Sequence, residues 1–158
     1  DVWNPPPLRL HGSPAADILW LGNHALVINQ RAADHLRPLL DACGELLTLT
    51  IDGAASDDTY YLFNPLFVLN ALAETSEIDY FRNSDDIKAI PRPEFKPDVI
   101  AGIDIFKVTG PYSSSLYLSE RYVETATAAD LVGPGYRLVW PLPPGGRLSS
   151  VAKPDYEP

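Results

Sequence analysis

The chain has 158 residues and is 46% hydrophobic, enough for one globular domain that hides roughly two-thirds of its unfolded surface. A formal charge of −9 makes nucleic acid and anionic membranes poor partners, and a single cysteine, Cys43, excludes an internal disulfide. No apolar run approaches the roughly 18 residues a membrane span needs and no signal peptide is visible, so a cytoplasmic location is expected.

In chain order, residues 1–14 are Pro-rich and read as extended. Residues 17–21 (Asp-Ile-Leu-Trp-Leu) form a short strand candidate and residues 25–28 (Ala-Leu-Val-Ile) a second, ended by Asn29 as a helix N-cap. A short helix follows through Arg31, Ala32, Ala33 and Leu36, with Pro38 expected to disturb it. Residues 45–51 alternate around Leu47, Leu49 and Ile51, a strand signal at period two. A polar loop runs through Asp57 and Asp58. Residues 60–72 then read as a buried strand passing into a buried helix, with Asn64 as N-cap and Pro65 at the first helical position. Residues 74–87 are acidic and irregular, and residues 90–97, with three prolines, read as an exposed connector. Residues 103–108 and 116–118 are strand candidates. Ser119 caps a helix running to about Asp130, and residues 136–140 (Tyr-Arg-Leu-Val-Trp) read as a last strand. From Pro141 the Pro/Gly pattern predicts a tail or arm.

One internal echo stands out. Residues 26–31 (Leu-Val-Ile-Asn-Gln-Arg) match residues 116–121 (Leu-Tyr-Leu-Ser-Glu-Arg), and after each arginine apolar residues fall at the same offsets. Both copies read as strand, cap and helix.

Motifs for chemistry are not found. His11, His24 and His35 are widely spaced and form no metal-binding helix pair, and one cysteine gives no zinc framework. There is no nucleophile elbow and no phosphate-cradling or dinucleotide fingerprint. Asp57-Asp58 and Asp85-Asp86 are adjacent pairs, which cannot by themselves face each other across a cleft as glycosidase chemistry needs. The expectation is a protein that is not an enzyme, with no catalytic residues, metal or cofactor.

The charge is unevenly spread. Between Asp41 and Asp104 there are 13 acidic and 4 basic residues, whereas the remainder holds 8 of each. A basic protein suits such a surface; a solvated face that aids solubility is the plainer reading. Within this segment Tyr80 and Phe81 lie between Glu77 and Asp79 on one side and Asp85 and Asp86 on the other. Aromatics ringed by charge suit a protein interface; the alternative is that both rings pack beneath a loop.

Several segments together resemble the bacterial immunity proteins of polymorphic toxin systems, the family first described from a myxobacterial domain. They are, in order, residues 31–40, 44–49 (Gly-Glu-Leu-Leu-Thr-Leu), 60–64 (Tyr-Tyr-Leu-Phe-Asn), 105–108 (Ile-Phe-Lys-Val), 116–121, and 131–133 leading to 136–140. The chain departs from the pattern at Asn70 and Ala73, where family members often carry aspartates, and at Pro134-Gly135, which widens a loop. The resemblance implies a small cytoplasmic protein that binds and neutralises a cognate toxin domain without catalysis.

These readings combine into one expectation: a single α+β domain over residues 1–140 with mixed or antiparallel strands, a few short helices and a Pro-rich C-terminal tail over 141–158. The partner-binding candidates are Asp57, Asp58, Glu77, Asp79, Tyr80, Phe81, Asp85 and Asp86, facing a basic patch on a toxin. A small ligand-binding or regulatory module with a pocket beneath the acidic loops is the alternative.

Overall fold

The structure, a computed structural model, describes residues 4, 8–9, 16–21, 25–52, 59–110, 115–133 and 135–142. Its centre is a four-stranded antiparallel sheet of β2 (Ile18–Leu21), β3 (Ala25–Asn29), β6 (Tyr60–Pro65) and β4 (Gly44–Leu49), in the order β2-β3-β6-β4. A short pair of β1 (Leu8–Arg9) and β5 (Ile51–Asp52) runs parallel beside it. The register places Leu26 opposite Phe63 and Ile28 opposite both Ile18 and Tyr61. Helix α1 (Gln30–Cys43) covers one face of this sheet. Its Ala32, Ala33, Leu36, Leu39, Leu40 and Cys43, spaced for one helical stripe, pack with Ile18, Leu26, Ile28 and Phe63. On the other face, Val27, Leu49 and Tyr60 gather Leu8, Leu19, Ile51 and Leu62. Central strand β3 is thus apolar on both faces, which is why residues 26–28 are an unbroken hydrophobic run.

Asn29 caps α1 as its sequence predicts, its side chain accepting from the Ala32 N–H. The helix then passes through Pro38 instead of being disturbed by it. Pro38 lies on the exposed side, so the Asp34 carbonyl that loses its N–H partner faces water. Gly44 starts β4 where the backbone nearly touches β6: a Cβ there would sit 2.4 Å from the Asn64 carbonyl oxygen and 2.6 Å from the Phe63 ring.

The expected helix after Asn64 is absent. Asn64 and Pro65 remain in β6, paired with Glu45 and Gly44, and the Asn64 side chain donates to Glu45 instead of capping. The chain continues extended into β7 (Val68–Leu69), which lies parallel to β10 (Ile105–Val108). Leu66 and Val68 are 62% and 54% exposed, while Phe67 and Leu69 turn inward and Ala71 is buried. The segment follows a period of two, and outward-facing apolar residues disguise it as an all-round apolar helix.

Strand β10 also pairs antiparallel with β11 (Tyr117–Leu118), giving the order β11-β10-β7. It separates two apolar clusters: Ile105 joins the first, and Phe106 and Val108 the second. In the second cluster Phe95 meets the rings of Phe106, Tyr117 and Trp140 edge-on, with centroids 5.4, 4.9 and 5.7 Å away. Short helix α2 (Pro97–Ile100) flanks it, and α3 (Glu120–Ala128), capped by Ser119, buries Tyr122 and Ala126 in the first cluster. The molecule is α+β. Residues 136–140, expected as a strand, form none; Tyr136 sets its ring edge-on against buried Tyr122 at 6.3 Å, Val139 and Trp140 pack on the second cluster, and Arg137 and Leu138 are exposed. Residues 143–158, most of the predicted tail, lie outside the described residues.

The echo in the sequence corresponds to a repeated clasp. Buried Asp17 precedes β2 and buried Asp104 precedes β10. Each accepts the cap residue's N–H on its carbonyl, from Asn29 at 2.9 Å and Ser119 at 2.8 Å. Each carboxylate then receives the cap side chain and an arginine two residues further on. Asn29 Nδ2 lies 2.9 Å and Arg31 Nη1 2.5 Å from Asp17; Ser119 Oγ lies 2.6 Å and Arg121 Nε 3.0 Å from Asp104, with Arg121 Nη2 completing a fork. Burial pushes the Asp17 carboxyl up, but the Val132 N–H, Asn29 and Arg31 outweigh it and leave it below the ordinary carboxylate range. Hydrogen bonds from Arg121 outweigh burial at Asp104 and, with Ser119, hold that carboxyl low as well. One local geometry has therefore been used twice to dock a helix start onto a strand start.

Candidate functional site

Six of the eight partner-binding candidates fall on one hairpin. Strand β8 (Glu77–Tyr80) pairs antiparallel with β9 (Ile87–Arg92), and residues 81–86 form the turn. The stretch expected to be irregular is thus ordered, and the expected connector at 90–97 begins as β9. Pro91 is tolerated there because a two-stranded ribbon has backbone positions that pair with nothing.

Local chemistry closes the turn. The Phe81 N–H donates to the Asp86 carbonyl at 3.0 Å and the Ser84 N–H to the Phe81 carbonyl at 3.2 Å. Asn83 takes a positive φ of 61°, a left-handed conformation asparagine adopts more readily than most residues. Ser84 Oγ donates to the Asp86 carboxylate at 2.6 Å and accepts the Asp86 N–H at 3.0 Å. At the foot, Ser76 Oγ donates to the Glu94 carbonyl and accepts the Glu94 N–H, and a bridge joins Leu72 to Phe95. Ile90 packs on the second cluster, and Ile87 lies against Gly110. A Cβ at Gly110 would come 2.8 Å from Ile87 Cδ1, and its φ of +112° also requires glycine.

The hairpin presents its aromatics to solvent. Tyr80 is 53% and Phe81 49% exposed, which answers the alternative that both rings pack under a loop. Glu77, Asp79, Asp85 and Asp86 are exposed around them. Glu77 lies 3.9 Å from Arg92, whose other nitrogen is 3.3 Å from Glu94. Asp79 and Asp85 have no ion pair among the described residues. Arg82 and Lys88 share the hairpin, so the surface is acidic in balance and not uniformly so. Asp57 and Asp58 lie outside the described residues.

Among the described residues no group of three or more His, Cys, Asp or Glu side chains is placed to hold a metal ion, and no helix is long and apolar enough to cross a membrane. Cys43 is buried in the first cluster, and His35 is exposed on α1. No protein-family model and no curated protein matches the chain.

Sequence reasoning missed the Asp17 and Asp104 clasps. Their signal was present: each aspartate directly precedes an isoleucine that starts the strand paired with the pre-helix strand. The echo identified the caps and arginines without the carboxylates they serve.

Proposed function

We propose that the protein is an immunity protein: it binds a cognate secreted bacterial toxin domain and neutralises it by covering its active or binding surface. The observation that carries this reading is the pair of half-exposed rings, Tyr80 and Phe81, set among Glu77, Asp79, Asp85 and Asp86 on a hairpin braced from below. Aromatic side chains supply much of the energy of protein interfaces when desolvated in a partner's pocket. Acidic residues around them raise the association rate with a basic surface and disfavour nucleic acid. The segment-by-segment resemblance to the immunity family supports the same reading. On this account the protein works by occlusion, uses no cofactor, and acts in the cytoplasm of the bacterium that makes the toxin.

The test is co-expression with the toxin domain encoded beside its gene. The expected result is restored growth and a stoichiometric complex on gel filtration. Continued toxicity and separate elution of two folded proteins would reject the proposal.

A further inference from the structure

The repeated unit extends past the clasp into the strand that follows each aspartate. Counting from the aspartate, Ile18 and Ile105 take the first place, Leu19 and Phe106 the second, Trp20 and Lys107 the third, and Leu21 and Val108 the fourth. The registers agree. Ile18 lies opposite Ile28 and Leu19 opposite Val27, as Ile105 lies opposite Leu118 and Phe106 opposite Tyr117. Asn29 and Ser119 each donate to the aspartate carbonyl, so the alternation of an antiparallel ladder turns the backbone groups of the first and third places toward the outer edge.

In the second unit that edge is covered. Strand β7 runs parallel along it, and the Lys107 and Thr109 N–H groups donate to the Phe67 and Leu69 carbonyls, both at 2.9 Å. Phe67 and Leu69 pack in the cluster that holds Phe106 and Val108, and Val108 is 2% exposed. In the first unit only the start of the edge is covered. The Ile18 N–H donates to the Val132 carbonyl at 3.0 Å, and Gly133 passes so closely that a Cβ there would lie 2.8 Å from Ile18 Cβ. Strand β2 ends its sheet, and among the described residues nothing accepts from the Trp20 N–H. Trp20 is 39% exposed, and Leu21, the counterpart of buried Val108, is 44% exposed.

We propose that the open edge of β2 at Trp20 and Leu21 is a docking site for an extended, uncharged apolar segment of another protein, added parallel to β2 as β7 is added to β10. The incoming strand accepts from the Trp20 N–H and turns alternate large apolar side chains onto Leu21, in the places that Phe67 and Leu69 hold beside Val108. Charge selects this partner. Strand β2 and the β3 residues opposite it carry no charged side chain, and the neighbouring Asp17 carboxylate is paired with Arg31. The edge therefore complements an apolar strand, whereas the acidic hairpin complements a basic surface. A second copy related by two-fold symmetry would set β2 against β2 antiparallel, unlike the parallel arrangement that β7 shows.

The probe is a peptide of residues 65–70 (Pro-Leu-Phe-Val-Leu-Asn) with a short polyethylene glycol tail, titrated into the isotope-labelled full chain. Millimolar peptide is expected to shift the Trp20 amide resonance and slow its hydrogen exchange, leaving the amides of Ile18 and Lys107, already bonded, as they were. A peptide with serine in place of Phe67 and Leu69 is expected to bind roughly tenfold more weakly. Trp20→Pro removes the outward N–H at a place where an edge strand tolerates proline, and is expected to bind the peptide roughly tenfold more weakly than Trp20→Ala does. If Trp20→Pro loses its native circular dichroism, Leu21→Ser replaces it, with a loss of roughly tenfold against the parent. The proposal is overturned if the Trp20 amide does not respond, or if it already exchanges slowly in the free monomer. It is overturned if Trp20 protection grows with protein concentration alone, which marks a second copy, or if the peptide shifts Lys107 and Thr109 instead by displacing β7. Equal binding by Trp20→Pro and Trp20→Ala, or by Leu21→Ser and the parent, overturns it as well.

Discussion

Phe95 joins the hairpin to the body, so its removal tests both packing and presentation of the site. It is 6% exposed, pairs with Leu72 at the hairpin foot and meets three rings edge-on. Truncating a buried Phe to Ala typically costs about 3–5 kcal/mol through lost transfer energy and the cavity left behind. Edge-to-face pairs contribute about 0.5–1.5 kcal/mol each beyond area burial. Phe95→Leu keeps most of the volume and loses the ring geometry, so its cost is expected at about 1–3 kcal/mol, below that of the alanine variant. At about 2–4 °C per kcal/mol for a domain of this size, Phe95→Ala should lower Tm by about 6–20 °C. Urea unfolding of the three proteins, fitted with a common m value, measures the difference. A cost below about 1 kcal/mol for Phe95→Ala, or an equal cost for both variants, would refute the assigned role of the rings.

Three further outcomes follow from the same geometry. Gly44→Ala should destabilise by about 1–3 kcal/mol in urea, because the new Cβ meets the Asn64 carbonyl and Phe63 at distances that force the backbone to shift. Asp17 and Asp104 have folded pKa values below their unfolded ones, so their stabilisation is complete above the unfolded carboxyl value near ~3.9 and is lost as pH falls through the lower folded values. Urea midpoints measured down a pH series should therefore fall below about pH 4, and the double variant Asp17→Asn/Asp104→Asn should flatten that fall. Replacing Asp79, Asp85 and Asp86 with lysine should slow association with the toxin and reduce the dependence of the association rate on salt, as stopped-flow kinetics at two ionic strengths can measure.

How much of this was legible in the sequence depends on whether the cause is local. Asn29 and Ser119 were readable as caps because a cap is a contact within one turn. Strands β3 and β4 were readable from their apolar patterns. The helix expected after Asn64 failed because Asn64 is claimed by its cross-strand neighbour Glu45, 19 residues away. Solvent-facing Leu66 and Val68 then concealed the inward alternation of Phe67, Leu69 and Ala71. Pro38 was misjudged because its effect depends on which side of α1 faces water, and that is decided by the sheet. Residues 136–140 carry a strand-like composition but pair with no strand among the described residues. At the candidate site, composition identified Tyr80 and Phe81 as either anchors or packing, and only the hairpin geometry turns them outward. The Asp17 and Asp104 carboxylates carry only a weak local sign, the isoleucine that follows each, since the arginines they bind lie 14 and 17 residues away.

The account rests on the hairpin rings as the binding anchors, and dissociation of the toxin complex tests this most directly. The double variant Tyr80→Ala/Phe81→Ala leaves both core clusters untouched and should fold as the parent does. Its complex with the toxin domain should dissociate at least about 30-fold faster, the loss expected for one interface hot spot of about 2 kcal/mol. A folded double variant that releases the toxin as slowly as the parent would contradict the account.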